Sequence, residues 1–189
     1  MTRGIKLVKI QDDGSSIEHW VIPTGKMTAA WRLESKLHGF PNEKWYDNGY
    51  RRGPEIPFDF DAIEFGAQIV PIRELMLDQI ILVPGWETGK IIPYPEQAIE
   101  ITRPGVGVTL TFYKLSDGIV PLDGTMRGIL CGWKDKALHD AGGAPGEQVP
   151  FDFPEEVFAE LLKKLKDAVY SQIKTQEGWE AVELLPDLP

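Results

Sequence analysis

The feature that most constrains the fold of this chain is a long amphipathic helix predicted near its C-terminus. Asp152 and Glu155 have the spacing of a capping box, with Asp152 in the N-cap role, and Pro154 suits the first turn. Gly178 ends the helix at the latest. One continuous helical face carries the apolar residues Val157, Phe158, Leu161, Leu162, Leu165, Val169 and Ile173. Such a face needs a partner layer, which the rest of the chain must supply.

Alternating apolar and polar residues predict that this layer is an antiparallel β-sheet. Residues 5–10 and 16–22 flank the turn signal Asp12-Asp13-Gly14, which predicts an N-terminal hairpin. Further strands are predicted over residues 97–103, 106–114 and 127–133. Short, turn-like segments join these strands, and such connections favour antiparallel pairing.

Two further segments complete the predicted fold. An apolar stripe at helical spacing predicts a shorter helix over 27–38, and the apolar run over 75–83 predicts a buried strand, with a buried helix as the alternative. We therefore expect an α+β fold: a mainly antiparallel sheet with a shorter helix near the N-terminus and the long C-terminal helix packed on it. Residues 1–176 are expected to form one domain with an aromatic-rich loop at 39–60, followed by a C-terminal arm at 177–189.

Composition limits the partners and the location that we expect. The net charge of −9 and the pI of about 4.9 disfavour broad binding to a phosphate backbone, so nucleic acid is not an expected partner. No stretch approaches the roughly 20 apolar residues that span a bilayer, so a membrane is not an expected partner either. Cys131 is the only cysteine, which excludes an intramolecular disulfide. Neither a secretory signal nor a membrane-spanning apolar run is visible, so we expect a cytoplasmic protein or a particle assembled in the cytoplasm.

Two segments are the candidate contact surfaces. The loop at 39–60 is too rich in aromatic residues to be typical of disorder, and long loops of this kind are usually functional. Trp, Tyr and Arg are enriched among residues that dominate binding energies. The candidate interaction residues are Trp45, Tyr46, Tyr50, Arg51 and Arg52 in the loop, and Trp179, Leu184 and Leu185 in the C-terminal arm. The alternative is that the loop folds back and its aromatic residues belong to the core.

Catalytic signatures are weak in this sequence. The best carboxylate cluster comprises Asp59, Asp61, Glu64 and Glu74, which could hold Mg²⁺ or Mn²⁺ in a hydrolase or nuclease. No Glu-x-Lys follows on a strand, as a nuclease of the common sheet-based type would need. The histidines are dispersed along the chain. We therefore expect no catalytic residue, no metal and no cofactor, and keep a metal-dependent hydrolase as the alternative.

One short sequence occurs twice. Pro57-Phe58-Asp59-Phe60 recurs as Pro150-Phe151-Asp152-Phe153. We interpret both copies as helix entries, in which the Asp caps and the aromatic residues staple the chain to the core. A duplicated domain is the disfavoured alternative, because a true repeat should show a longer stretch of similarity.

These patterns together favour a non-catalytic role in assembly, through contacts with protein partners in an oligomer or larger complex. Small α+β proteins with long loops and a terminal arm broadly resemble phage head–tail connector, tail-completion or baseplate proteins. This resemblance is one of architecture, and it implies a virion component. A regulator that binds another protein through its acidic surface is a third hypothesis.

Overall fold

The fold is described from a computed structural model, which describes residues 2–21, 24–27, 33–49, 53–60, 62–105, 107–121 and 126–186. The strands are β1 (Thr2–Ile10), β2 (Ser16–Val21), β3 (Thr24–Met27), β4 (Leu33–Phe40), β5 (Glu55–Phe60), β6 (Lys90–Ile92), β7 (Ala98–Pro104), β8 (Thr109–Pro121), β9 (Met126–Trp133), β10 (Glu147–Phe153) and β11 (Glu183–Pro186). The helices are α1 (Glu43–Asp47), α2 (Ala62–Ile80), α3 (Lys136–Asp140) and α4 (Glu155–Ile173).

All described strand pairs are antiparallel and join two similar groups of strands. One group has the order β11-β1-β2-β4-β5, and the other has the order β6-β7-β8-β9-β10. Strand β3 joins them, because it pairs with β4 on one side and with the end of β8 on the other. Helices α2 and α4 pack against each other, and α4 also packs on β1. The predicted α+β fold, with its antiparallel sheet and C-terminal helix, is confirmed.

The chain repeats one order of elements at a nearly constant spacing of 93 residues. Asn42 caps α1 as Asp135 caps α3, and α2 and α4 are each 19 residues long. The turn glycines Gly85 and Gly178 both have positive φ. We call the part from β1 to β6 the first half and the part from β7 to β11 the second half. The repeated Pro-Phe-Asp-Phe therefore marks a repeat that spans the chain, and its interpretation as a helix entry alone is wrong.

Each half gives its last strand to the other half. Strand β6 of the first half pairs with β7, and β11 of the second half pairs with β1. The sheet is thus completed only when both halves are present. Residues 177–186, which we expected to form an arm, belong to this sheet and to the turn before it, while 187–189 lie outside the described residues.

A buried tryptophan precedes each exchanged strand and packs in the opposite half. Trp86, which precedes β6, lies edge-on against Tyr113 and Phe151, with ring centroids 5.0 and 5.6 Å apart. Both partners belong to the second half. Edge-to-face pairs of this kind add to the free energy gained from burial. The exchange is therefore fixed by side-chain packing as well as by backbone pairing.

A buried cation also ties α2 to the second half. The Arg73 guanidinium donates to the carbonyl oxygens of Leu115 and Ser116, at 2.6 and 3.1 Å, and to Oε1 of Gln97 at 2.9 Å. Lys166, which occupies the equivalent position of α4, is buried too. Hydrogen bonds to a charged donor are among the stronger ones in proteins, so Arg73 fixes the helix over the strand.

The central core lies between the two long helices and the sheet. Both helices bury one continuous set of side chains, which includes Ile69, Ile72, Met76 and Ile80 of α2 and Phe158, Leu162, Leu165, Val169 and Ile173 of α4. Burying one such side chain stabilises the fold by about 1.5–3 kcal/mol. Val157, which the sequence placed on this face, is 41% exposed.

Two predicted elements are wrong. Residues 33–38, expected to lie in the helix over 27–38, belong to β4, in which Leu33 and Leu37 are buried while Glu34 and Lys36 between them are exposed. Neighbouring strands on both sides supply backbone partners, and this tertiary context overrides helix propensity. Residues 28–32 lie outside the described residues.

The second error concerns the run at 75–83, which was predicted as a strand. Its first six residues continue α2, and the buried-helix alternative is therefore the correct one for them. The run lacks polar alternation because this part of the helix is covered by both the sheet and α4.

The expected cap of α4 is also corrected. The N-cap residue is Pro154, whose side chain has no acceptor, and Asp152 lies in β10. There its Oδ1 is 3.1 Å from Nε of Arg127 on the neighbouring strand β9. Asp152 is therefore a cross-strand partner at the sheet edge.

Candidate functional site

The aromatic loop contains a short capped helix, α1. The Asn42 side chain accepts a hydrogen bond from the Trp45 amide at 3.1 Å, and Asn48 donates from its side chain to the Lys44 carbonyl at 2.7 Å. Gly49 follows with a φ of +66°, a conformation that glycine adopts without strain. These caps hold the helix so that Trp45, 42% exposed, faces solvent.

Tyr46 anchors α1 to the sheet. Its ring centroid lies 5.2 Å from that of His19 on β2 and 5.3 Å from that of Phe40 on β4. Of the aromatic residues predicted to make contacts, Trp45 is thus displayed and Tyr46 is partly covered. Tyr50, Arg51 and Arg52 lie outside the described residues.

An open cleft of about 480 Å³ lies beside α1, and we call it the α1 cleft. Its wall carries charges of both signs next to an apolar side chain. The residues that supply them are Lys6, Glu18, Glu43, Lys44 and Leu185. Leu185 comes from the exchanged strand β11, so the exchange brings a residue of the predicted C-terminal surface beside the predicted loop surface.

The other predicted C-terminal residues are placed differently. Trp179 is 5% exposed and belongs to the core of this chain. It is therefore not available as an exposed contact in this structure. Leu184 lies in β11, where its backbone is opposite Ile5 of β1. The structure places Leu185 at the α1 cleft, while the side chain of Leu184 lies outside the described residues.

The second half repeats this arrangement with different side chains, none of which was a predicted site residue. Asp135 caps α3 by accepting from the Leu138 amide at 2.8 Å, and Leu138 is 40% exposed. His139 packs on Trp133 and Phe112, with ring centroids 4.8 and 5.2 Å apart. Leu138 and His139 therefore correspond to Trp45 and Tyr46. Their short helix carries none of the aromatic richness that singled out α1.

A matching cleft of about 490 Å³ lies beside α3, and we call it the α3 cleft. Two of its charges are reversed relative to the α1 cleft. Glu100 stands where the first half has Lys6, and Lys136 stands where it has Glu43. The remaining polar wall is contributed by Lys90, Thr88, Thr102 and Thr111. The two clefts therefore have similar volumes and some equivalent lining positions, but they differ in electrostatic character.

Charged side chains interact along the exposed side of α3. The Lys136 ammonium donates to Asp140 at 2.6 Å, and Nδ1 of His139 is 2.9 Å from the same carboxylate. The hydrogen bond from Lys136 lowers the pKa of Asp140, with His139 contributing next. The same bond raises the pKa of Lys136. These contacts link the first and last residues of α3.

The carboxylate cluster of the hydrolase hypothesis is only partly described. Asp61 and the side chains of Asp59 and Glu64 lie outside the described residues. Oε1 of Glu74 accepts from the Tyr94 amide at 3.3 Å. Across the described part of the chain, His, Cys, Asp and Glu side chains nowhere gather in a group of three suited to a metal ion.

Within the described ranges, no helix is both long and apolar enough to cross a membrane. Comparison of the chain with known protein families, with curated proteins and with solved structures found no match.

Proposed function

We propose that this protein is a non-catalytic structural or assembly protein that acts through protein–protein contacts at the α1 cleft. The observation that carries the proposal is the exposure of Trp45, 42%, on a capped helix beside a mixed-charge cleft. Two segments selected separately as contact surfaces, the loop and the C-terminal strand, meet there.

The chemistry of this surface suits a protein partner. An exposed tryptophan supplies a large apolar anchor of the kind that dominates binding energy at interfaces. Charges of both signs in the neighbouring α1 cleft, from Lys6, Glu18, Glu43 and Lys44, match the polar rim of a protein interface. A site for nucleic acid would instead present clustered positive charge.

The partner in this proposal is a component of an oligomer or larger assembly. The proposal includes a virion component of the head–tail connector, tail-completion or baseplate type, which rests on the resemblance of architecture alone. The capped helix α1 is held on the exchanged sheet before any partner binds. A preorganised surface of this kind loses less conformational entropy when a neighbouring subunit binds to it.

The experiment compares Trp45→Ser with Leu138→Ser, because these residues occupy equivalent exposed positions on α1 and α3. Light scattering over a range of concentrations and co-purification from the source cells report assembly, and circular dichroism reports the fold. We expect Trp45→Ser to weaken the assembly about tenfold or more, as loss of a hot-spot tryptophan does, and Leu138→Ser to leave it intact. Equal assembly by the parent chain and Trp45→Ser would contradict the proposal.

A further inference from the structure

The strand exchange creates two equivalent seams. At the first seam β1 pairs with β11, with Lys6 opposite Glu183 and Gly4 opposite Leu185. At the second seam β7 pairs with β6, with Glu100 opposite Lys90 and Ala98 opposite Ile92. Position by position the two seams match, so each holds one charged pair at the same place in the register.

The order of charge is opposite at the two seams. The first strand of the first half carries the cation Lys6, whereas the first strand of the second half carries the anion Glu100. The last strands are reversed as well, with Lys90 in β6 and Glu183 in β11. All four residues are exposed. Each native seam therefore places opposite charges directly across from each other, an arrangement that stabilises an antiparallel pair.

Pairing between like halves would reverse this balance. If two copies of the chain associated first half with first half, β1 would pair with β6 and Lys6 would face Lys90. The second halves would then place Glu100 opposite Glu183. Like charges directly opposite on neighbouring strands are destabilising. The neighbouring seam positions do not discriminate, since Ile5 opposite Leu184 and Ile99 opposite Ile91 are apolar in either arrangement.

We propose that this reversed charge order makes each half select the other half over a copy of itself, and so directs the chain to a closed monomer instead of a dimer with like halves paired. A dimer with like halves paired contains two seams between β1 and β6 and two seams between β7 and β11, and like charges repel at each of them. This repulsion weakens as salt screens the exposed charges. The partner that fits each seam is thus the complementary half of the same chain, a case of specificity achieved by repulsion in the alternative.

The test reverses one seam only. In the double variant Lys6→Glu/Glu183→Lys the native seam still pairs opposite charges, so the monomer should melt close to the parent. Pairing of like halves now also places opposite charges across each seam. After denaturation and refolding at high protein concentration and low salt, we expect a severalfold larger dimer fraction than for the parent, measured by size exclusion with light scattering. The reciprocal variant Lys90→Glu/Glu100→Lys should show the same increase in dimer fraction. It replaces the first variant in the test if the first variant folds poorly.

The matched control reverses both seams. Lys6→Glu/Glu183→Lys combined with Lys90→Glu/Glu100→Lys restores like-charge repulsion in the wrong pairing, so the dimer fraction should return to that of the parent. The proposal is overturned if the double variants refold with no more dimer than the parent. It is equally overturned if the quadruple variant keeps the dimer fraction of the double variants.

Discussion

Trp179 meets Trp20 edge-on, with 5.2 Å between ring centroids and 80° between ring planes, although the two residues come from opposite ends of the chain. Phe58 lies edge-on against the Trp179 indole with 5.9 Å between ring centroids, and the Lys9 ammonium lies 4.1 Å from the centroid of the Trp179 ring. Arg103 stands over Trp86 at 4.0 Å in the equivalent place. Each exchanged tryptophan is therefore held under a cation of the opposite half, a favourable cation–π arrangement.

Removing the Trp179 side chain should strongly destabilise the protein. Trp179→Ala leaves a cavity between the halves, so we expect the free energy of unfolding to fall by about 3–5 kcal/mol. Urea denaturation measures this, and Leu82→Ala is the control, because Leu82 is 70% exposed and its truncation should change the free energy of unfolding by no more than about 0.5 kcal/mol. Deleting residues 177–189 should abolish the fold, because strand β11 is lost as well. A truncated chain that keeps the circular dichroism spectrum and melting behaviour of the parent would contradict this prediction.

Gly39 and Gly66 should respond in opposite directions to a methyl group. A Cβ on Gly39 would lie 2.7 Å from the Trp20 ring, so Gly39→Ala forces a shift in a packed core, which we expect to cost about 1–3 kcal/mol. A Cβ on Gly66 meets no atom within 4 Å, so Gly66→Ala should stabilise α2 by about 0.5–1 kcal/mol. Paired thermal melts separate the two effects. A Gly39→Ala variant as stable as the parent would show that the ring above β4 moves freely.

The helical face of α4 can be tested with one charge. Leu165 is fully buried, so Leu165→Asp forces an unpaired carboxylate into the core, and the protein should fail to fold. Lys164→Asp, one residue away on the exposed side, should change the free energy of unfolding by less than about 0.5 kcal/mol. Circular dichroism at room temperature distinguishes the outcomes. Equal melting of both variants would place Leu165 outside the core.

Local patterns predicted much of this fold because they depend on neighbouring residues. The N-terminal hairpin, the strands β7 to β9 and the apolar face of α4 all follow from short periodicities and turn residues. The errors arose where distant contacts decide. The apolar spacing in β4 predicts a helix, and only the partner strands show that the segment is a strand. The end of α2 has a continuous apolar run, which predicts a buried strand, because the helix is covered there from several sides.

The repeat itself was readable in the sequence. Gly85-Trp86-Glu87 and Gly178-Trp179-Glu180 have the same separation as the two Pro-Phe-Asp-Phe segments. Two different motifs that recur at the same separation indicate a repeat of the whole chain, whereas one repeated motif alone does not. The exchange of strands was not readable, because a repeat can pair its last strand with either half. The convergence of Leu185 and α1 on one cleft follows only from that exchange.

The buried phenol of Tyr113 should give the protein an alkaline limit to its stability. Tyr113 donates to Oε1 of Glu147 at 2.7 Å. Burial, and then this hydrogen bond and the Glu147 charge, raise the pKa of Tyr113 above that of an ordinary tyrosine. The folded state therefore keeps its proton more tightly than the unfolded chain. The stabilisation is complete below the unfolded pKa of about 10 and is lost as pH rises from there towards the folded pKa.

Tyr113→Phe tests this sign. At neutral pH the free energy of unfolding of the variant should be lower than that of the parent by about 1 kcal/mol, because the hydrogen bond is lost. Above pH about 10 the stability of the variant should decline less steeply than that of the parent. Urea denaturation over a pH series gives the two slopes, and the near-ultraviolet absorbance of tyrosinate reports the ionisation directly. Tyr94→Phe is the matched control, because Tyr94 is 57% exposed whereas Tyr113 is buried. If the Tyr113→Phe and parent curves run parallel across the alkaline range, the phenol titrates as it would in the unfolded chain and burial does not hold its proton.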